Sequence, residues 1–189
     1  MAFWTSAESE PKRNFRFKVT IGTAANDVLW WAKTVTTPSF EVSSVEHDFL
    51  DNKYYFPGRV TWNDVSLTLV DPITIDAVSV TNKYLVDSGY VVKNKTTATD
   101  TPKTISKNKA AGTPGPLKNF KIEVMNAEGK VIEAWTLNNP FITSAKYGDL
   151  DYSSDDIRTV ELTIKYDWAT CDTSGNSSAQ GTGTFFEEQ

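Results

Sequence analysis

From Thr159 to Trp168 the chain alternates without a break. Val160, Leu162, Ile164, Tyr166 and Trp168 fall on one side; Thr159, Glu161, Thr163, Lys165 and Asp167 fall on the other. Successive side chains of a strand point to opposite faces, so this run is a half-buried strand with one apolar face. Residues 14–21 read the same way, with Phe15, Phe17, Val19 and Ile21 set against Arg16, Lys18 and Thr20. Residues 28–36 predict a second strand with Trp30 and Trp31 on opposite faces, and residues 60–70 another with Leu67 and Leu69 inward. Phe120, Ile122 and Val124 alternate, Asn126–Gly129 makes a turn, and residues 131–137 return as the partner strand of a hairpin. The shared phase nominates a core of Phe15, Phe17, Val19, Leu67, Leu69, Phe120, Ile122, Val124, Val160, Leu162 and Ile164.

Two stretches break the alternation. Residues 40–58 carry Val42, Val45, Phe49, Tyr54, Tyr55 and Phe56 among charges, with a turn at Asp51-Asn52. This predicts an extended hairpin whose aromatics exceed what one thin projection buries alone. At Asp71-Pro72 an N-cap acid precedes a proline suited to the first helical position; Ala77, Val80, Tyr84 and Leu85 then share a side, and Gly89 can end the helix. The β-branched residues in between oppose helix, but the caps decide for it. The expected fold is mainly β: an antiparallel β-sandwich or barrel of about seven strands with one flanking α-helix. One domain spans residues 1–189, with an N-terminal arm at 1–13, a polar insert loop at 92–116 and a flexible Gly/Ser-rich C-terminal tail at 170–189.

Composition narrows the function. At 39% hydrophobic and 12% aromatic residues the chain folds rather than staying disordered. A net charge of −5 opposes a protein that clamps nucleic-acid phosphates. Six lysines face a single acid between residues 91 and 118, a local +5, so the remainder carries −10 (−5 minus +5). Cys171 is the sole cysteine, which forbids an intrachain disulfide. No apolar run reaches membrane-spanning length, and the first ten residues lack the pattern of a signal peptide, so no membrane insertion is expected. His47, flanked by Glu46 and Asp48, has no nucleophile poised beside it. Asp149, Asp151, Ser153, Asp155 and Asp156 resemble a calcium loop, but Ser154 and Val160 stand where that loop needs Gly and Glu; a polar bend with Asx turns is the simpler reading. No enzyme, metal or cofactor is expected. The aromatic excess leaves open a carbohydrate-binding β-sandwich module.

The run 139–169, an apolar segment, a Gly148-Asp149 bend and a strand ending Tyr166-Asp167-Trp168, resembles the closing strand of tail-tube proteins of contractile-tailed bacteriophages. Thr37-Pro38-Ser39-Phe40-Glu41-Val42 and the run from Phe56 to Pro72 fit the same family in the same order. The resemblance implies a structural virion protein that forms six-membered rings stacked into an inner tube, with neighbouring sheets joined edge to edge around the lumen. It implies as partners further copies of the chain, the tail sheath protein, and the baseplate and tail terminator proteins. Tape measure protein and genomic DNA would pass through the lumen without specific binding. The place is the virion tail, assembled in the host cytoplasm. The tube of a contractile injection or type VI-like particle, and a baseplate tube initiator, are the related alternatives. The insert at 92–116 and the tail after Thr170 depart from the family's short form.

These readings give the site expectations. Phe3, Trp4, Phe49, Tyr54, Tyr55 and Phe56 are expected at inter-subunit contacts, Glu161 and Asp167 facing the lumen, and Lys103, Lys107 and Lys109 on an outer loop against the sheath. Of Phe3-Trp4 and Phe185-Phe186, apolar pairs in polar ends, at least one pair is expected to pack on a neighbouring subunit, so that the ends become ordered only in the assembled tube, with Phe185 the more apt to stay in solvent.

Overall fold

Residues 11–22, 31–74, 76–91, 103–112, 115–175, 181 and 183–187 are described in this computed structural model. Phe3, Trp4, most of the 92–116 insert and part of the tail lie outside them. The described strands are β1 (Phe17–Thr20), β2 (Ala32–Val35), β3 (Phe40–Phe49), β4 (Asn52–Trp62), β5 (Val65–Val70), β6 (Lys121–Met125), β7 (Val131–Asn138), β8 (Phe141–Lys146), β9 (Thr159–Lys165), β10 (Trp168–Asp172) and β11 (Thr184–Phe185). Two helices, α1 (Ala77–Asp87) and α2 (Lys107–Ala111), sit between β5 and β6.

The strands make a five-stranded sheet, β1-β6-β7-β10-β11, a four-stranded sheet, β2-β5-β9-β8, and a separate hairpin, β3-β4. Every pair is antiparallel. The two larger sheets share one core. Val19, Ile122, Leu137 and Ala169 from the first cluster with Leu67, Leu69, Val160, Leu162 and Ile164 from the second, joined by Ala77, Leu117 and Phe120. Each fully buried aliphatic side chain here contributes about 1.5–3 kcal/mol relative to exposure. Period-two alternation is thus realised as a sandwich.

The expected core differs from the observed one at its rim. Phe15 is exposed, because the chain turns at Asn14-Phe15, where the Arg16 amide donates to the Arg13 carbonyl, and β1 starts only at Phe17. Phe17 and Val124 are half-buried, paired across the outer strand β1 and its neighbour β6.

The long final strand is two strands. Leu162, Ile164 and Tyr166 point inward, but beyond Asp167 the buried residues are Ala169 and Cys171, of opposite parity. One extra residue at the corner flips every later side chain and carries the chain from the four-stranded to the five-stranded sheet.

The helix begins later than expected. Asp76, not Asp71, is the N-cap, its side chain accepting from the Val78 amide. Asp71 still serves that end, with Oδ1 accepting from the Ala77 amide at 2.9 Å. Ile73 stays outside the helix, as β-branching favours. The C-terminal end is closed by Ser88, with Gly89 at φ +102 beyond it. The insert also contains structure. Val91 and Lys103 exchange backbone hydrogen bonds across its base, and α2 follows.

Candidate functional site

The β3-β4 hairpin runs 10 and 11 residues, roughly 33 Å at strand rise, and every residue but Trp62 is exposed. Its turn falls at Leu50-Asp51, one residue before the expected place, and puts Leu50 in the left-handed region at φ +53 with 87% of its surface exposed.

Residues paired across an antiparallel ladder share a face. At the base, Phe40 pairs with Trp62 and Val42 with Val60. At the tip, Val45 pairs with Phe56, His47 with Tyr54 and Phe49 with Asn52. Between them the register shifts by one, so the apolar base and the apolar tip lie on opposite faces. Of the four expected interface aromatics that lie on the hairpin, Phe49, Tyr54 and Phe56 therefore share the tip face, while Tyr55 looks the other way. Gly58 makes the bulge possible: a Cβ there would sit 2.3 Å from Ser43 Oγ, which accepts from the Arg59 amide at 2.9 Å. Val45 and His47 complete the tip face; their alternation with Phe49 in β3 was the available signal.

The base face carries an aromatic cluster built within the subunit, although Phe40, Val42 and Val60 stay about half exposed. The Phe40, Trp62 and Phe186 rings meet edge to face at centroid distances of 5.4, 5.9 and 5.5 Å, and Trp62 lies 6.0 Å from Tyr166. Phe40, Trp62, Trp168 and Phe186 line a groove of about 320 Å³. Phe185 pairs with Cys171 as β11. The C-terminal aromatic pair thus has a seat on its own subunit, rather than in solvent or on a neighbour as the sequence suggested for this end. A β edge at Cys171 and an apolar hollow at the hairpin base hold it. Phe3 and Trp4 are among the undescribed residues.

The outer face of the four-stranded sheet is dominated by hydroxyls. Register places Thr34, Thr68 and Glu161 in one row, followed by Lys146, and Ser66, Thr163 and Ser144 in the next. Glu161 stands here, but Asp167 does not, because the corner takes it away. Its carboxylate accepts from Lys107 Nζ at 2.6 Å and from Asn139 Nδ2 at 2.9 Å. Partial burial pushes its pKa up, but these donors outweigh it and hold the group below the usual carboxylate range. The sequence reading set Lys107 on the sheath side and Asp167 on the lumen side. Their contact excludes opposite walls. Lys103 and Lys109 are exposed.

The remaining titrating groups are structural. Burial, with the Glu133 carboxylate nearby, raises the Cys171 thiol to about 11, leaving it protonated near neutrality. In the acidic 149–156 loop, Asp151 Oδ1 accepts from the Ser153 amide and hydroxyl, an Asx turn. No helix among the described residues is long and apolar enough to cross a membrane.

Short-edged sheets, a bare projecting hairpin and a hydroxyl-covered face define a subunit shaped for assembly. The chain belongs to the family described as T4-like virus tail tube protein gp19, which matches residues 13–170, and its role is that of a structural tail tube protein. Its fold is shared with a chain of the extended sheath-tube complex of the extracellular contractile injection system PVC, at TM-score 0.61 and 18% identity over 89% of this chain and 99% of that one. It is likewise shared with the tube terminating cap of the anti-feeding prophage, at TM-score 0.60 and 18% identity over 87% and 92%, and with a chain of the PVC sheath/tube terminator, at 0.58 and 17% over 86% and 97%. No curated protein sequence matches the chain.

Proposed function

We propose that this tail tube protein forms hexameric rings, four strands per copy closing edge to edge into the wall of a lumen, with the β3-β4 hairpin reaching an adjacent copy. The hairpin carries the reading. Phe186 packs against its base on one face, Val45, Phe49, Tyr54 and Phe56 stand exposed together on the other, and exposed aromatic clusters of this kind are the anchors of interfaces. β2 and β8 are the outer strands of the four-stranded sheet, and closure into a barrel removes such edges. The hydroxyl face then lines the bore, with Glu161 opposed by Lys146, and Lys165 lying 3.9 Å from Asp64. A near-neutral bore lets genomic DNA and tape measure protein pass without retention, since lysines facing phosphates would bind them.

The solved relatives include a sheath-tube complex, a sheath/tube terminator and a baseplate, which supports sheath, terminator and baseplate proteins as partners here. The place proposed for the protein is the virion tail, assembled in the host cytoplasm. Lys103 and Lys109 are the sheath-facing candidates, through exposed ion pairs worth about 0–1 kcal/mol each. Family membership favours the phage tube over the injection-particle, baseplate-initiator and carbohydrate-module alternatives. Electron microscopy of the purified protein tests the reading. Rings or tubes with six-fold end views are expected, and monomers at every concentration and salt would overturn it.

A further inference from the structure

Two surfaces remain unused, and they are complementary. The first is a groove of about 1090 Å³ on the open seam between β1 and β2. Its walls carry Phe15, Phe17, Val35 and Val124, and its charges are Lys12, Arg13, Arg16 and Lys33 against one carboxylate, Glu133, which Lys12 engages. The Arg16 guanidinium sits 5.5 Å from the Phe15 ring centre. This is a cationic patch with apolar walls on a chain of net charge −5.

The second is the loop from Gly148 to Arg158. It presents Leu150, Tyr152 and Ile157 at 81%, 112% and 71% exposure, set among Asp149, Asp151, Asp155 and Asp156. Its one cation, Arg158, turns back into the subunit, with Nε donating to the Tyr147 carbonyl at 3.3 Å and a terminal nitrogen 3.5 Å from Asp71. The Asx turn at Asp151 and the Ser154 hydroxyl donating to Asp156 shape the loop without covering its apolar side chains.

We propose that the 148–158 loop of one copy seats in the β1-β2 groove of the next, as a lateral contact within a ring. The proposal rests on the self-assembly reading above and deepens it. The loop leaves β8 and the groove borders β2, the two opposite outer strands of the same four-stranded sheet. A head-to-tail contact between opposite edges repeats from copy to copy and makes a ring where its rotation closes, whereas a patch facing itself stops at a dimer. The partners are complementary: the loop brings aspartates toward Arg13 and Lys33, and Leu150, Tyr152 and Ile157 to apolar walls. Charge complementarity of this kind also fixes which surface meets which.

The test uses the full chain, whose sole native cysteine, Cys171, is buried. The paired variant Phe15→Cys with Tyr152→Cys, assembled and then oxidised, should give a ladder of covalent multimers, while either single variant gives none beyond a dimer. Asp155→Lys with Asp156→Lys should abolish ring formation, and adding Arg13→Glu with Lys33→Glu to the same chain should restore it. Wild-type protein that forms no rings would sink the assembly reading itself, before any variant is made. Wild-type rings that survive the loop reversal, with no ladder from the cysteine pair, would overturn the loop contact alone. Protection of Phe15→Cys from a thiol reagent in unassembled monomer would show the groove filled by the chain's own N-terminal segment, and would also overturn it.

Discussion

Single residues separate stability from assembly in this subunit. Leu162 is fully enclosed by the two sheets, so Leu162→Ala should cost about 2–5 kcal/mol, whereas Phe15→Ala, at an exposed turn, should leave the melting temperature nearly unchanged. Thermal denaturation of the two variants checks the boundary of the core. Leu50 inverts this logic. A non-glycine residue in the left-handed region costs roughly 1–2 kcal/mol, and here it holds a leucine out in solvent at the hairpin tip. Leu50→Gly should keep or raise the monomer's melting temperature while weakening polymerisation; a variant that assembles normally would show that the tip leucine has no partner. Asp167 adds a pH dependence. Its pKa is lowered on folding, so its contribution is present above the ordinary carboxylate value and is lost as pH falls through the depressed one. Glu133 follows the same direction, since hydrogen bonds from Lys12 and Trp135 outweigh the burial that raises it. Stability should therefore fall on acidification below about pH 4, and Asp167→Asn should flatten that fall, as melting temperatures across an acid series will register.

At the scale of elements, the hairpin and the corner at Asp167 carry most of the design. A two-stranded ribbon is barely stable by itself, so β3-β4 depends on the aromatic cluster of Phe40, Trp62, Tyr166 and Phe186 at its root. Deleting residues 46–53 removes the tip but leaves this root. The product should be a folded monomer with an unchanged circular dichroism melt that no longer polymerises in light scattering. Tube growth at the wild-type rate would deny the tip its role. The corner matters differently. By switching sheets there, one continuous segment covers both layers, and the Lys107 ion pair ties α2 to the switch point.

For the molecule as a whole, the distribution of charge is the functional variable. The acids gather on the 149–156 loop and the hairpin, the cations on the β1-β2 seam and the insert, and the hydroxyl face lies between. If that face lines the bore, Ser66→Lys with Thr163→Lys should leave tubes intact while making them retain DNA at low salt, and retention should fade as salt rises, because counterion release drives it. Gel-shift of assembled tubes with linear DNA measures this, and tubes that ignore DNA at every salt concentration would place the face elsewhere. The sequence by itself determined the layers. Alternation fixes which side of a strand is buried, so Leu67, Leu69, Leu162 and Ile164 were legible as core, and the aromatic surplus between Phe40 and Phe56 marked the projecting hairpin. It did not determine where the parity breaks. The extra residue at Asp167 and the β4 bulge at Gly58 cost nothing locally that a hydrophobicity pattern registers. Only the packing of one sheet on another, and of Ser43 beneath Gly58, selects them. The meeting of Lys107 with Asp167, and the docking of Phe186 under the hairpin, join residues far apart in the chain. Such contacts belong to the tertiary structure, because only chain closure brings those side chains within reach of each other.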